Sequence, residues 1–280
     1  MTALAERAAG SMAAPAARSR RGFVVGRFPG FGATTLLFFL YLYAPIAILV
    51  VFSFNAGRSA TIWSGFSLEW YLRAFANDDI RRAALNSLTV ATVATAIATV
   101  LATCAALAFA RGGRFRGQTA AYAVLTMPLV VPEIVTAVAT LSFFAAIGLS
   151  LGLGNVIIAH SVFCIPFAFL PIRARLQGMD TTLEQAAQDL YASEWQTFRH
   201  VTLPLLMPGV LSGAMLAFII SIDDVIITLM VAEAGSTTLP LYIYGMVRMG
   251  ITPEVNAVST VLLLVSVLFV SLSYLIGRRR

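Results

Sequence analysis

Long apolar runs, separated by short polar stretches rich in arginine, dominate this chain. A helix needs roughly 20 apolar residues to cross a hydrocarbon core of about 30 Å. Six stretches qualify: residues 35–54, 84–110, 119–147, 155–172, 209–231 and 257–276. Pro128 and Pro132 interrupt the third, and Pro166 and Pro171 the fourth. Each proline removes a backbone donor and blurs the ends of its helix. The pattern predicts an all-α integral membrane protein with a six-span domain over residues 34–280. An Ala-rich cytoplasmic tail is expected over residues 1–33. No internal repeat or second domain is visible.

Composition sharpens this picture. Apolar residues make up 59% of the 280 positions and charged residues only 11%, against about 25% charged in soluble domains. With a mean hydropathy of +0.86, an ordinary cytosolic domain and a disordered protein are both excluded. All 19 basic residues are arginine, which excludes chemistry that needs lysine, including phosphate binding by a P-loop. The net charge of +6 does not indicate nucleic acid, because the arginines follow the spans. Fourteen fall before span one, between spans two and three, between four and five, and after six. The remaining five, including Arg58 and Arg248, fall on the other side. By the positive-inside rule both termini are cytoplasmic. The segment at residues 19–23 (SRRGF) resembles a twin-arginine signal, but no cleavage pattern follows it, and it reads as a positive-inside anchor. Cys104 and Cys164 sit in apolar runs and suggest neither a disulfide framework nor a metal site.

The cytoplasmic loop at about 173–208 carries the first specific signal. Leu183, Ala186, Ala187 and Leu190 follow a helical spacing, with Glu184, Gln188 and Asp189 between them. A short amphipathic helix is expected there. A second is expected near 193–200, stopped by Pro204 and Pro208. An exposed apolar face of this kind needs a cover, either its own bundle or a partner. The loop resembles the EAA loop of binding-protein-dependent ABC importer permeases. Ala186 and Ala187 match that pattern, and Val201, Leu203 and Pro204 fall at its spacing. Gln185 stands where Glu is usual, with Glu184 one residue early. Tyr191 stands where Gly is usual, at a turn that favours φ > 0. The resemblance implies a helix that docks on a separate ATPase subunit, with Glu184, Gln185, Ala186, Ala187, Tyr191, Glu194, Leu203 and Pro204 as coupling positions. ATP and Mg would be held by that partner, and no cofactor by this chain.

The second signal is a set of acids inside spans, which are costly there and point to function. Glu133 lies in span three, and Asp223 and Asp224 in span five. On straight helices each span would carry its acid about 21 Å from the cytoplasmic end. Asp223 and Asp224, about 100° apart on one helix, cannot both face one pore. A pathway for a multiply cationic substrate would resolve the cost of such carboxylates. Outside the membrane, Trp63 offers a π face to an ammonium group. Trp70 and Tyr71 read as an interfacial aromatic belt.

Residues 127–137 (MPLVVPEIVTA) and 221–263 closely resemble the spermidine/putrescine permease subfamily, and the resemblance runs from about 35 to 275. It implies a type I ABC importer permease fold in a bacterial inner membrane. The implied partners are a second, non-identical permease, two copies of an ATP-binding subunit and a periplasmic binding protein. Trp63, Glu133, Ser221, Asp223 and Asp224 would line the substrate path. Two rivals remain: a proton-coupled secondary transporter, and an importer of the same subfamily for another small organic solute. His160 and His200, the two histidines, form no metalloenzyme motif, and His160 reads as a packed polar residue. The G-x-x-x-G at Gly209 and Gly213 suggests close helix packing.

Overall fold

The computed structural model describes residues 30–59, 62–113, 115–250 and 252–278, apart from the side chains of 269, 270 and 272–278. The tail over 1–29 with Arg7, Arg18, Arg20, Arg21 and Arg27, the 19–23 segment, Arg114, Arg279 and Arg280 lie outside the described residues. The chain divides into two units, Met1–Ile48 and Leu49–Arg280. The first contains most of α1 (Phe31–Phe52), an apolar helix with Pro45 inside it that buries none of its residues.

In the second unit, α2 (Glu69–Ala76) leads into α3 (Asp78–Arg111). Asn77 caps α3 by accepting N–H bonds from Asp79 at 2.9 Å and Ile80 at 3.3 Å. Next come α4 (Gln118–Thr126), a 3-10 turn (Met127–Leu129), α5 (Glu133–Ile147) and α6 (Leu153–Gln177). The loop after α6 forms α7 (Thr182–Asp189) and α8 (Glu194–Thr197). A π-helical turn (Phe198–Thr202) then leads into α9 (Leu203–Asp223), followed by α10 (Ile226–Val231), α11 (Leu239–Met249) and α12 (Pro253–Arg278). Among the described residues, four helices are long and apolar enough to span alone: Phe31–Phe52, Asp78–Arg111, Leu153–Gln177 and Glu194–Asp223. The bent pair Gln118–Leu129 and Glu133–Ile147 makes a fifth if it counts as one span, and the 26-residue α12 lies at the sixth predicted position.

α6 is the hub, with α3 and α9 packed along it and against each other. Ala94, Ala98, Ala102 and Ala106 recur every four residues, on one face of α3, and all are fully buried. Three of these alanines join Cys164, Ala168 and Phe169 of α6 and Ala217 of α9 in one cluster. Small residues let backbones approach where lipid supplies no hydrophobic drive between helices. A Cβ on Gly213 would sit 2.6 Å from the Ala168 carbonyl oxygen, and one on Gly209 2.6 Å from Arg175 Cβ. The glycine pair therefore does seat α9 on α6.

Three expectations need correction. Span three is not straight: Gln118–Leu129 and Glu133–Ile147 meet at 108°. Pro132 is extended at φ −53°, ψ 133°, and its carbonyl starts a new ladder by accepting the Val135 N–H at 2.9 Å. A depth counted along one rod therefore does not apply to Glu133. Span five stops at Asp223 instead of running to Val231, because Asp224 is extended at ψ 134°. Finally, Pro204 and Pro208 do not stop the helix at 194. The Leu203 N–H reaches the Phe198 carbonyl across the π turn, and this wider turn carries the chain into Pro204 without a break. The prolines of α6 likewise sit inside a continuous helix.

Overpacking at a backbone contact costs about 1–3 kcal/mol. Gly213→Val should therefore lower the melting temperature of the detergent-solubilised protein. Gly245→Ala, where a Cβ meets nothing within 4 Å, should leave it within experimental scatter.

Candidate functional site

The break at Asp224 builds a buried polar centre. Asp224 Oδ1 accepts the Thr228 N–H at 3.0 Å and the Thr228 hydroxyl at 3.1 Å, and Oδ2 accepts the Ile227 N–H at 3.4 Å. The side chain thereby caps α10, taking N–H groups that a new helix leaves free. From α6, His160 Nε2 lies 3.2 Å from Asp224 Oδ1 and 3.0 Å from Thr228 Oγ1. Its Nδ1 lies 2.9 Å from Ser221 Oγ. Ser221, Asp224, Thr228 and His160 are all buried.

Glu133 begins α5 directly after the other break. It lies beside Asp224, where α5 packs on α10. Glu133 is thus the first residue of one half-helix, and Asp224 lies just ahead of another, where the positive end of the backbone dipole favours an acid. Asp223 points the other way and is exposed. The break separates the two aspartates more completely than helical rotation would. Ser221 does not line an open surface, because it is 4% exposed and holds His160. Trp63 is 48% exposed and stands edge-on to Phe52. Its loop is organised by Asn55, whose side chain donates to the Ser59 and Ile62 carbonyls and accepts the Ser64 N–H. Trp70 is not part of an aromatic belt. It is buried, and its indole N–H donates to the Asn55 carbonyl at 2.9 Å. Tyr71 bonds Ser53 at 2.6 Å.

The loop that carries α7 and α8 presents a different surface. Leu183, Leu190, Tyr191 and Trp195 are exposed, Tyr191 almost completely at 98%. Gln185, Ala186, Glu194 and Pro204 are exposed, whereas Ala187 and Leu203 are half-buried. Glu184 points inward: it accepts from Arg111 Nε at 2.9 Å and from the Thr202 hydroxyl at 3.0 Å. It therefore ties α7 to the end of α3 and to the π turn. At the other end of α7, Tyr191 has φ 62° and is the non-glycine residue of positive φ among the described residues. Its N–H bonds the Gln188 carbonyl at 2.8 Å, and the Ala192 N–H bonds the Ala187 carbonyl at 3.1 Å. This is a Schellman ending that glycine would adopt without strain. Tyrosine there costs about 1 kcal/mol and places a ring in solvent. Before the helix, the Thr182 N–H donates to Asp180 at 2.9 Å, and this bond holds the Asp180 carboxyl below its usual range.

Residues 98–280 match the family described as binding-protein-dependent transport system inner membrane component. The chain belongs to this family. Similar permeases include the spermidine/putrescine transport system permease protein PotC of Haemophilus influenzae. That protein is 43% identical over 241 residues, which cover 86% of this chain and 93% of the relative. The putrescine transport system permease protein PotI of Escherichia coli K12 is 39% identical over 234 residues, covering 81% and 83%. Among solved structures, a bacterial ABC transporter involved in import of the acidic polysaccharide alginate aligns at TM-score 0.68 and 16% identity, covering 88% of this chain and 93% of that one. The MetNI methionine ABC transporter aligns at 0.59 and 22% identity, covering 71% and 94%. At such identity these two structures show a shared fold.

Sequence reasoning about this permease passed over His160 and Thr228 as members of the acid cluster. The i, i+4 spacing of Asp224 and Thr228 was a readable signal, whereas nothing local linked His160 to span five. The inward turn of Glu184 was also hidden, because its partner Arg111 lies 73 positions away. A partly exposed ion pair with an added hydroxyl bond contributes about 1 kcal/mol. Glu184→Ala should therefore speed amide hydrogen exchange across residues 182–189 by about fivefold, with α3 amides unchanged.

Proposed function

We propose that this permease is one transmembrane subunit of an ATP-driven importer of polyamines such as spermidine and putrescine. The observation that carries this reading is the pairing of Glu133 and Asp224 at two helix breaks inside the spans. No Arg or Lys occurs between residues 117 and 172 or between 200 and 247. These segments therefore offer anionic groups with no resident fixed cation, which suits a guest bearing several ammonium groups. Removing one partner from a buried charge pair costs about 3–5 kcal/mol, enough to make each carboxyl decisive for a cation. Exposed Asp223 and the Trp63 ring extend the same chemistry outward along the path. The polyamine names of the relatives agree with this acid set.

Energy has to arrive from another polypeptide, since the chain lacks a P-loop. The exposed Leu190, Tyr191 and Trp195 ending the loop fit a surface that docks on an ATPase subunit holding ATP and Mg. A second, non-identical permease would complete the pathway, with two ATPase copies below and a periplasmic binding protein above. The arginine distribution supports both termini on the cytoplasmic side.

The test is uptake of radiolabelled spermidine by proteoliposomes holding the complete complex with its binding protein. ATP enclosed in the lumen, on the side that carries the ATPase subunits, should drive uptake from outside, and Asp224→Asn should reduce it at least about tenfold at equal abundance. Asparagine keeps the acceptor that caps α10, so the fold should survive. Leu190→Asp should abolish ATP-dependent uptake while all spans stay inserted. Uptake by the chain alone on a proton gradient would establish a secondary transporter instead. ATP-driven uptake of a different solute with none of spermidine would keep the class and change the cargo.

A further inference from the structure

His160 stands on the hub helix α6, yet its ring reaches both sides of the break in span five. Ser221 at Nδ1 belongs to α9, Thr228 at Nε2 to α10, and Asp224 at Nε2 to the break itself. The Thr228 hydroxyl donates to Asp224 Oδ1 at 3.1 Å, so its single proton is not available to the ring. Nε2 must then carry a proton and donate toward Thr228 and Asp224. At Nδ1 the partner is a serine hydroxyl, which serves as donor or acceptor. The imidazole is therefore held at both nitrogens whichever charge state it has.

These bonds divide the two oxygens of Asp224. Oδ1 receives the Thr228 N–H, the Thr228 hydroxyl and His160 Nε2, all within 3.2 Å. Oδ2 receives the Ile227 N–H at the long distance of 3.4 Å and is the more weakly held of the two. The oxygen with spare accepting capacity is thus Oδ2, on a carboxyl that lies beside Glu133.

We infer that His160 is the positioning residue of the cation site. By engaging Asp224 Oδ1 and bridging Ser221 to Thr228, it fixes the break in span five and leaves Asp224 Oδ2, next to Glu133 and buried in this conformation, to take an ammonium group once the pathway opens. His160 acts through Asp224 and does not itself contact the substrate. The inference rests on the polyamine reading above, and its test separates the two.

The experiment uses the complete complex in proteoliposomes with loaded binding protein, reading spermidine uptake per ATP hydrolysed at equal amounts of assembled complex. His160→Leu should cut this ratio about tenfold or more. His160→Gln, whose amide nitrogen can stand where Nε2 does, should recover it to within about threefold of the parent. The double variant His160→Leu, Asp224→Asn should be no worse than Asp224→Asn alone, since both changes remove one linkage. Losses that multiply in the double variant, or a glutamine variant as poor as leucine, would overturn the positioning role. Should His160→Leu fail to assemble, His160→Asn serves in its place. Asparagine reaches toward Ser221 but not toward Asp224, so glutamine must outperform it, and equal uptake by the two would overturn the inference. If Asp224→Asn transports normally, the cation-site reading fails first, and the role of His160 fails with it.

Discussion

A carboxyl group inside a bilayer has to find donors, because hydrocarbon offers none. In this chain the donors come from interrupted helices. An intact helix spends its backbone N–H groups on itself, but the first turn of a new helix leaves several free. Asp224 takes two of them at the start of α10, and Glu133 opens α5. At Asp224 the break, the cap and the acid are therefore a single arrangement, and at Glu133 an acid again follows a break. With α5 packed on α10, the two breaks meet, and the two acids lie beside each other. The site depends on this pairing of half-helices more than on any one residue.

Prolines alone do not account for where the helices break. Pro166 and Pro171 lie inside an uninterrupted α6, and Pro208 lies inside α9. The break at Asp224 has no proline beside it. What the two breaks share is an acid at the break or directly after it. A carboxyl that can cap a new helix lowers the cost of starting one, whereas a buried proline in α6 is held in line by the packing of α3 and α9 against it. Alanines on α3 and glycines on α9 make that packing tight, and the resulting rigid hub carries His160 to the break.

The presence of several long apolar helices was legible because length and apolarity alone decide them. The amphipathic loop helix was legible from its spacing, and the strain at Tyr191 from the glycine that its turn would favour. What escaped were features settled by distant partners. Trp70 looked like an interfacial residue until Asn55 satisfied its indole N–H from 15 positions away. Glu184 looked like part of a docking face, but Arg111 and Thr202 turn it inward. Pro132 marked the interruption beside Glu133 in span three, whereas the straight course assumed for span five failed because capping energy is invisible to a hydropathy pattern. His160 lies 61 positions from Ser221 and 68 from Thr228, so only the folded chain brings it to the acids.

The loop surface and the acid centre are the two ends of one element. From Glu194 to Asp223 the chain is a continuous helix of 30 residues, about 45 Å at the usual rise. Its first turn follows the strained ending at Tyr191, and its last residue abuts the break at Asp224. A helix transmits displacement along its axis far better than a loop does, so force applied at Trp195 has a direct route to the acids. The π turn at Phe198–Thr202 is the softest stretch of that route, since wide turns carry poorer hydrogen bonding. Glu184 braces this turn by accepting the Thr202 hydroxyl and, through Arg111, fastens it to α3. The inward-facing acid of the loop thus stiffens the one compliant part of the rod. That explains why an acid is useful at position 184 even though it is turned away from any docking partner.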